Sequence, residues 1–128
     1  MSVPVAVDEL RAEIAKFSSD PFLLTVSDHG LPHCVAGAVS WDGEELVMRV
    51  GKKTAANATA RPAVSMLWAP GVRGEFSLIV DGTIVSVTPA PAGGNHMHFR
   101  PSHAVLHRPA SPESASTNEC APVFDASP

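Results

Sequence analysis

Two lysines and a threonine stand where an apolar run gives way to an alanine-rich segment, in the stretch Arg49-Val-Gly-Lys-Lys-Thr-Ala-Ala-Asn57. Gly51 lets the backbone come close to a ligand. The free N–H groups at the start of a helix point at such a ligand, and the helix dipole favours a negative charge there. Lys52 and Lys53 add positive charge, and Thr54 can cap the helix and donate its hydroxyl. This pattern predicts a binding site for a phosphate monoester.

Arg49 stands two residues before Gly51 and therefore on the same face of the preceding strand. Its guanidinium carries a fork of N–H donors that could bind the same anion. The stretch is the densest positive cluster of the sequence. A pair of lysines at a turn from strand to helix is also common on a solvated surface, so both interpretations stay open. The GxxxxGK[ST] spacing of a P-loop is absent.

Histidines near the end of the chain form a second candidate. His96 and His98 would face the same way on a strand, and His103 and His107 follow. A His-x-His pair can bind zinc or another transition metal, and a single histidine can bind a haem iron. No aspartate or glutamate stands among these histidines to complete a ligand set. Exposed histidines on a terminal strand are therefore the preferred interpretation, and no metal site is predicted.

Recognised catalytic patterns are absent from the sequence, which has no GxSxG elbow, no HExxH and no tyrosine. Cys34 follows His33 directly, but neighbours on a strand point to opposite faces and do not form a catalytic pair by adjacency. Cys34 and Cys120 form no CxxC motif and no disulfide framework. We therefore expect a reduced, cytoplasmic protein.

The elements that would position these residues begin with a helix. Val7, Leu10, Ile14 and Phe17 recur at spacings of three and four residues and so share one helix face. Pairs of strands follow, joined by turns that contain an aspartate and a glycine. These turns are predicted at Asp28-His29-Gly30, Asp42-Gly43 and Asp81-Gly82.

Strands are predicted for most of the remaining chain. A short alanine-rich helix is expected over Thr54–Ala60, ended by Arg61-Pro62. An irregular connection is expected over Pro89–Gly94. The predicted strands are Phe22–Ser27, Pro32–Trp41, Glu45–Gly51, Ala63–Trp68, Phe76–Val80, Thr83–Val87 and His98–His107, the last bent near Pro101.

Several of these strands are apolar on both faces. Arg49 is the only charged residue in the stretch 46–50, and Ser77 is the only polar residue in the stretch 76–80. An antiparallel sheet with one face in water alternates more regularly. Closing the sheet into a barrel buries one face, and a second subunit, most simply in a two-fold dimer, would bury part of the other. A helix packed outside the barrel would also cover part of it.

The composition is typical of one domain with a tail. The chain has 128 residues, 45% of them hydrophobic and 17% charged. Its net charge of −4 argues against a partner held by bulk positive charge, such as nucleic acid. No apolar run reaches the roughly 18 residues of a membrane span, and no basic region precedes the first apolar residues, so no membrane contact or secretory signal is expected. Residues 1–109 would form the domain, and residues 110–128, rich in Ala, Ser and Pro, a flexible tail.

The order and spacing of these segments resemble the pyridoxamine 5′-phosphate oxidase-like proteins, a superfamily of split-barrel flavoproteins. The resemblance extends over roughly Val7 to Pro109 and begins with the first helix. The segments that carry it are Phe22-Leu-Leu-Thr-Val-Ser-Asp-His-Gly-Leu-Pro32, Trp41-Asp-Gly43, Gly51-Lys-Lys-Thr54, Asn57, Arg61-Pro62, Val64-Ser-Met-Leu-Trp68, Leu78-Ile-Val-Asp-Gly82 and Ala104-Val-Leu-His-Arg-Pro109.

The resemblance implies a mainly β fold, a six-stranded antiparallel split β-barrel with short helices, usually a homodimer. It also implies FMN, or in actinobacterial relatives the deazaflavin F420, bound at the dimer interface. Lys52, Lys53 and Thr54 would then hold the cofactor's phosphate, and Ser77 stands where the full oxidases tend to place a glutamine near the flavin. The residues that would run past the flavin ring, the ribityl chain or the phosphate are His33, Cys34, Val35, Arg49, Val50 and Gly51.

Departures from the family pattern leave the substrate open. The family's phosphate turn commonly ends in Arg-Lys, whereas here the pair reads Lys53-Thr54, and Ser77 replaces the glutamine. The C-terminal arginine and histidine motif with which true pyridoxamine 5′-phosphate oxidases grip their substrate is not recognisable. Oxidation of vitamin B6 is therefore not expected of this chain.

The resemblance implies an FMN-dependent oxidoreductase that acts on an unidentified small organic molecule. Two alternatives stay open. One is an F420-dependent reductase on the same fold, and the other is a non-catalytic barrel that carries flavin or haem or has lost its ligand. In either enzyme the cofactor would carry the redox chemistry, which explains why no catalytic side chain needs to stand in a fixed motif.

Overall fold

The computed structural model describes residues 1–71 and 75–110, and these form mainly antiparallel β-sheet with short helices. Most of the predicted tail, residues 111–128, lies outside the described residues. The helices are α1 (Leu10–Ile14), which follows a 3-10 turn at Val7–Glu9, and α2 (Lys52–Ala60). The strands are β1 (Ser2–Val5), β2 (Phe22–Val26), β3 (Pro32–Ala36), β4 (Val39–Asp42), β5 (Glu45–Val50), β6 (Ala63–Trp68), β7 (Ser77–Pro89) and β8 (Asn95–His107).

The sheet closes on itself as a split barrel. Its strand order is β3-β2-β6-β7-β8-β5-β4, with β1 paired to β8. β3 and β4 are thus the two ends of the sheet, yet only residues 37 and 38 connect them. The two ends must therefore meet at this corner, where a side chain on Gly37 would come within 3.3 Å of Met48 on β5. The predicted fold is confirmed, with eight strands among the described residues where six were expected.

One hydrophobic core fills the barrel, built from the inward side chains of the strands and from both helices. Leu23, Met66 and Phe99 are completely buried in it. α1 is held to this core by Leu10, which is also completely buried, and Ile14 and Phe17 pack beside it. Val7, predicted on the same helix face, is exposed instead, because the chain there forms a separate 3-10 turn. Within residues 1–71 and 75–110, no helix has the length and apolar character that crossing a membrane requires.

Two predicted hairpin features are wrong. The predicted strand Pro32–Trp41 is broken at residues 37–38, because its first half pairs with β2 and its second half with β5. Asp81-Gly82 is no turn, since β7 continues through it. A side chain on Gly82 would collide with the Phe99 ring, at 2.6 Å, and with the Arg100 carbonyl. Glycine at position 82 therefore allows β8 to approach β7 closely. The register of the β7–β8 pair shifts at the same place, next to Pro101, where the bend was predicted.

β1 was not predicted from the sequence. Ser2–Val5 adds a short edge strand along the last residues of β8, in register from Ser2 opposite His107 to Val5 opposite Ala104. Four residues that include a proline carry little local strand signal. The long exposed edge of β8 makes the strand possible, because it offers unpaired backbone groups to the chain terminus.

Candidate functional site

α2 begins directly after β5, two residues earlier than predicted. Gly51 is the residue before its first turn, in extended conformation (φ −81°, ψ −177°), and its carbonyl accepts the N–H of Ala55 at 3.0 Å. Thr54 does not cap the helix as predicted, because it lies inside the first turn. The N–H groups of residues 52–54 have no partner within the helix. A side chain on Gly51 would meet no described atom within 4 Å, so the backbone here is open to a ligand.

Lys52 and Lys53 are both exposed at this helix start. They follow the N-cap directly, so their ammonium groups add full charges to the partial positive charge of the helix end. The structure therefore shows a local arrangement of open backbone, N–H groups without a partner in the helix, and two exposed lysines. Its chemistry suits a phosphate or carboxylate group.

The hydroxyl of Thr54 contacts the sheet. The hydroxyl oxygen lies 3.3 Å from Nε2 of His33 on β3. One helical turn later, Asn57 donates its side-chain N–H to the hydroxyl of Thr25 on β2, also at 3.3 Å. Thr54, Asn57 and Thr25 are buried, and Thr25 stands opposite His33 across the strand pair. These two polar contacts hold α2 to the two strands beneath it.

The guanidinium of Arg49 was predicted to bind the anion, but in the structure it bonds to backbone carbonyls. Its Nε–H donates to the carbonyl of Gly93 at 2.8 Å, and its Nη2–H donates to the carbonyl of Ala92 at 2.7 Å. Both carbonyls belong to the turn of residues 90–94 that joins β7 and β8, the region predicted to be irregular. The arginine therefore clasps a turn beside the helix start.

The structure brings most of the predicted site residues together and leaves one apart. His33, Cys34 and Val35 follow one another on β3, with Cys34 exposed on the outer side. Val50, predicted beside the flavin, is part of the core. Ser77 is the first residue of β7. It also lies three strands away from β3, so within one chain it does not join the other predicted residues.

Two of the four histidines of β8, His98 and His103, have carboxylate partners that the sequence order does not reveal. Nδ1 of His98 lies 3.3 Å from the carboxylate of Glu45 on β5, which also accepts an N–H of Arg100 at 3.0 Å. His103 lies 3.4 Å from Asp81 on β7. Across residues 1–71 and 75–110, no three His, Cys, Asp or Glu side chains are grouped so that they could hold a metal ion.

An apolar row crosses the outer face of the sheet. The neighbours of its members along the strands, such as Leu23, Met66 and Val80, are completely buried, so the row itself faces outward. Six strands spaced about 4.8 Å apart make the row about 24 Å long. One residue per strand belongs to it, in continuous cross-strand register: Ala36, Phe22, Leu67, Ile79, Val105 and Pro4.

A polar row runs beside the apolar row. Ser65 donates its hydroxyl to the Asp81 carboxylate at 2.6 Å, and His103 approaches the same carboxylate. These three residues stand opposite one another on β6, β7 and β8. The outer face thus combines an apolar centre with a polar margin, an arrangement typical of protein interfaces.

No protein-family model matches this chain, and no curated protein sequence matches it. Solved structures match it through their fold. A Listeria innocua protein provisionally described as a pyridoxamine 5′-phosphate oxidase has a TM-score of 0.63 and 16% identity, over 78% of this chain and 96% of its own. A protein described as an F420 reductase has a TM-score of 0.60 and 22% identity, over 67% of this chain and 88% of its own.

An FMN-binding protein from Syntrophomonas wolfei subsp. wolfei aligns in the same way, with a TM-score of 0.62 and 11% identity, over 80% of this chain and 86% of its own. The three neighbours span nearly their whole length in these alignments. The chain therefore shares the split-barrel fold of pyridoxamine 5′-phosphate oxidase-like proteins, as its sequence pattern predicts.

Proposed function

We propose that this chain binds the phosphate of a flavin at the N-terminus of α2 and acts as a flavin-dependent oxidoreductase on a small organic molecule. The observation that carries the proposal is the open helix start, where exposed Lys52 and Lys53 flank the N–H groups of the first turn. An FMN-binding protein and an F420 reductase share the fold. Both FMN and F420 carry a phosphate. FMN is the first candidate cofactor and F420 the second.

The residues present fit such a phosphate. The backbone at Gly51 is open to a ligand. Three backbone N–H groups add to the donors of the two lysines, so the site offers more donors than a surface lysine pair alone. Thr54 contributes its N–H, while its hydroxyl is engaged with His33. The residues that would lie along the ring and ribityl chain are His33, Cys34 and Val35 from β3, whereas Val50 is buried in the core and Arg49 bonds to the turn of residues 90–94.

A bound flavin would supply the hydride transfer itself. The chain would then supply binding, orientation and exclusion of water. The polar contacts of Thr54 with His33 and of Asn57 with Thr25 would keep the helix start at a constant distance from β2 and β3. No side chain of the site needs to exchange a proton for this role, in agreement with the absence of acid–base motifs from the sequence.

A homodimer is part of the proposal. Phe22 in the apolar row of the outer face is 39% exposed. A standard interface, which covers about 800 Å² on each subunit, would bury this row together with its polar margin. A second copy would also explain how Ser77 could take part in the flavin site. That residue lies far from the helix start of its own chain, and it would reach the flavin only from the partner.

Ligand titration tests the proposed function. The purified full chain is titrated with FMN, F420, riboflavin and haem, followed by absorbance and tryptophan fluorescence. Micromolar or tighter binding of FMN, with weaker binding of riboflavin, supports the phosphate site. Preference for F420 supports the second cofactor. Equal binding of FMN and riboflavin, preference for haem, or no binding contradicts the proposal; the last two favour a non-catalytic barrel.

Variants locate the site. The double variant Lys52→Ala/Lys53→Ala should bind FMN about 100-fold more weakly or worse, because each of the two charged donors to a phosphate contributes about 1.5 kcal/mol or more. Lys16→Ala is the matched control, since Lys16 is also an exposed lysine and pairs with Glu13 on α1. Unchanged affinity in the double variant would place the phosphate elsewhere.

A further inference from the structure

We infer that Arg49 is a positioning residue for the phosphate site, acting through the turn of residues 90–94 rather than by binding the phosphate. The inference rests on the proposed function. Nε–H and Nη2–H of Arg49 donate to two successive carbonyls, those of Gly93 and Ala92, at 2.8 and 2.7 Å. A planar guanidinium can span two such acceptors at once, whereas an ammonium group is a point charge that cannot.

The turn that Arg49 holds has a specific backbone shape. Ala90 N–H donates to the Gly94 carbonyl, and Gly93 N–H donates to the Ala90 carbonyl, both at 3.0 Å. Gly93 and Gly94 have φ values of +106° and +71°, which glycine adopts without strain. Residues 91–94 are exposed, so the neighbouring protein packs little against the turn. The two bonds from Arg49 therefore add to the turn's own hydrogen bonds and to the pairing of Pro89 with Asn95 in keeping it in place.

The turn is docked on the peptide that leads into α2. A side chain on Gly94 would lie 2.9 Å from the carbonyl oxygen of Val50, and Val50 stands opposite Asn95 in the β5–β8 pair, so the turn lies next to that oxygen. The same peptide group includes the N–H of Gly51, the N-cap of the helix. Because a peptide group is planar and rigid, holding the Val50 carbonyl also fixes the direction in which the chain enters the first turn.

Loss of the clasp should therefore loosen the helix start without removing a phosphate ligand. The experiment compares Arg49→Lys, which keeps the charge but does not span both carbonyls, with Arg49→Gln, which removes the charge. We expect both variants to bind FMN about tenfold more weakly and riboflavin unchanged. Arg100→Lys is the matched control, since Arg100 is an exposed arginine on the neighbouring strand that pairs with Glu45.

A second measurement needs no cofactor. Hydrogen exchange of the Ala90 and Gly93 amides, which are bonded within the turn, should be about tenfold faster in both Arg49 variants and unchanged in Arg100→Lys. Gly94→Ala should weaken FMN binding through the same turn, because its φ and its contact with Val50 do not accept a side chain. Combining Gly94→Ala with Arg49→Gln should then cost little more than either change alone.

The outcomes separate the inference from the proposed function. If Arg49→Lys binds FMN like the wild type while Arg49→Gln does not, the arginine acts through its charge and the inference is wrong. Faster exchange in the turn with unchanged FMN affinity, or additive effects of the two changes, also overturns it. If the wild type binds no flavin, the proposed function fails and the inference with it.

Discussion

Nε2 of His33 lies 3.3 Å from the hydroxyl oxygen of Thr54, which joins an end strand of the sheet to the first turn of α2. Arg49 on β5, just before the helix start, bonds to the turn of residues 90–94. The N–H groups proposed to bind a phosphate are thus supported from β3 and from the β7–β8 turn. A preorganised anion site needs such support, because donors that must first be ordered bind more weakly.

Removing the Thr54 hydroxyl should destabilise the chain. Thr54→Val keeps the shape of the side chain but leaves Nε2 of His33 without this partner. We expect the free energy of unfolding to fall by about 1 kcal/mol, the usual contribution of one hydrogen bond. Urea denaturation measures it, and Thr54→Ser, which keeps a hydroxyl, should lose less. A valine variant as stable as the wild type would show that the contact contributes nothing.

The buried pair of Asn57 and Thr25 should behave as a coupled unit. Thr25→Val or Asn57→Leu alone leaves the other polar group buried without this partner, which costs about 1–3 kcal/mol. The double variant removes both polar groups, so its loss in unfolding free energy should be smaller than the sum of the single losses. Urea denaturation of all four proteins tests this. Additive losses would mean that the two side chains act independently.

Gly82 should not tolerate a side chain. Gly82→Ala places a methyl group 2.6 Å from the Phe99 ring and against the carbonyl of Arg100, and the backbone must shift to make room. We expect a loss of about 3 kcal/mol in unfolding free energy, or failure to accumulate as folded protein. Thr83→Ala, at the next and exposed position of β7, should change stability by less than about 0.5 kcal/mol. Equal stability of the two variants would contradict the close approach of β8.

A charge in the apolar row should break the proposed dimer. Phe22→Glu would bury a carboxylate within the proposed interface, and we expect the dimer to weaken by at least tenfold, as measured by sedimentation equilibrium. Val85→Glu is the matched control, because Val85 is exposed to a similar extent, 42% against 39%, but lies outside the row. Circular dichroism checks that both variants stay folded. A monomeric wild type, or equal dimerisation of both variants, would rule out this interface.

Much of the barrel could be predicted from local patterns. The strand Ala63–Trp68 was predicted with its observed bounds, and Asp42-Gly43 turns as predicted, with Gly43 at φ +63°. Alternation of side chains and turn-forming residues act over a few positions, so they are legible in one segment at a time. The stretch 51–54 was likewise legible as a strand-to-helix turn, although α2 begins two residues earlier than expected.

Contacts between segments far apart in the sequence could not be predicted from local patterns. Asp81-Gly82 carries a turn signal, yet Phe99 and Arg100 of β8 hold it within a long strand. Arg49 was expected to bind an anion, yet two of its N–H donors bond to carbonyls of the turn at residues 90–94. The succession of strands and turns and the positive helix start follow from spacing within single segments, so the sequence alone predicts them, whereas the split barrel was implied by the family resemblance. Pairings between residues some forty positions apart depend on the closed barrel, which no local pattern encodes.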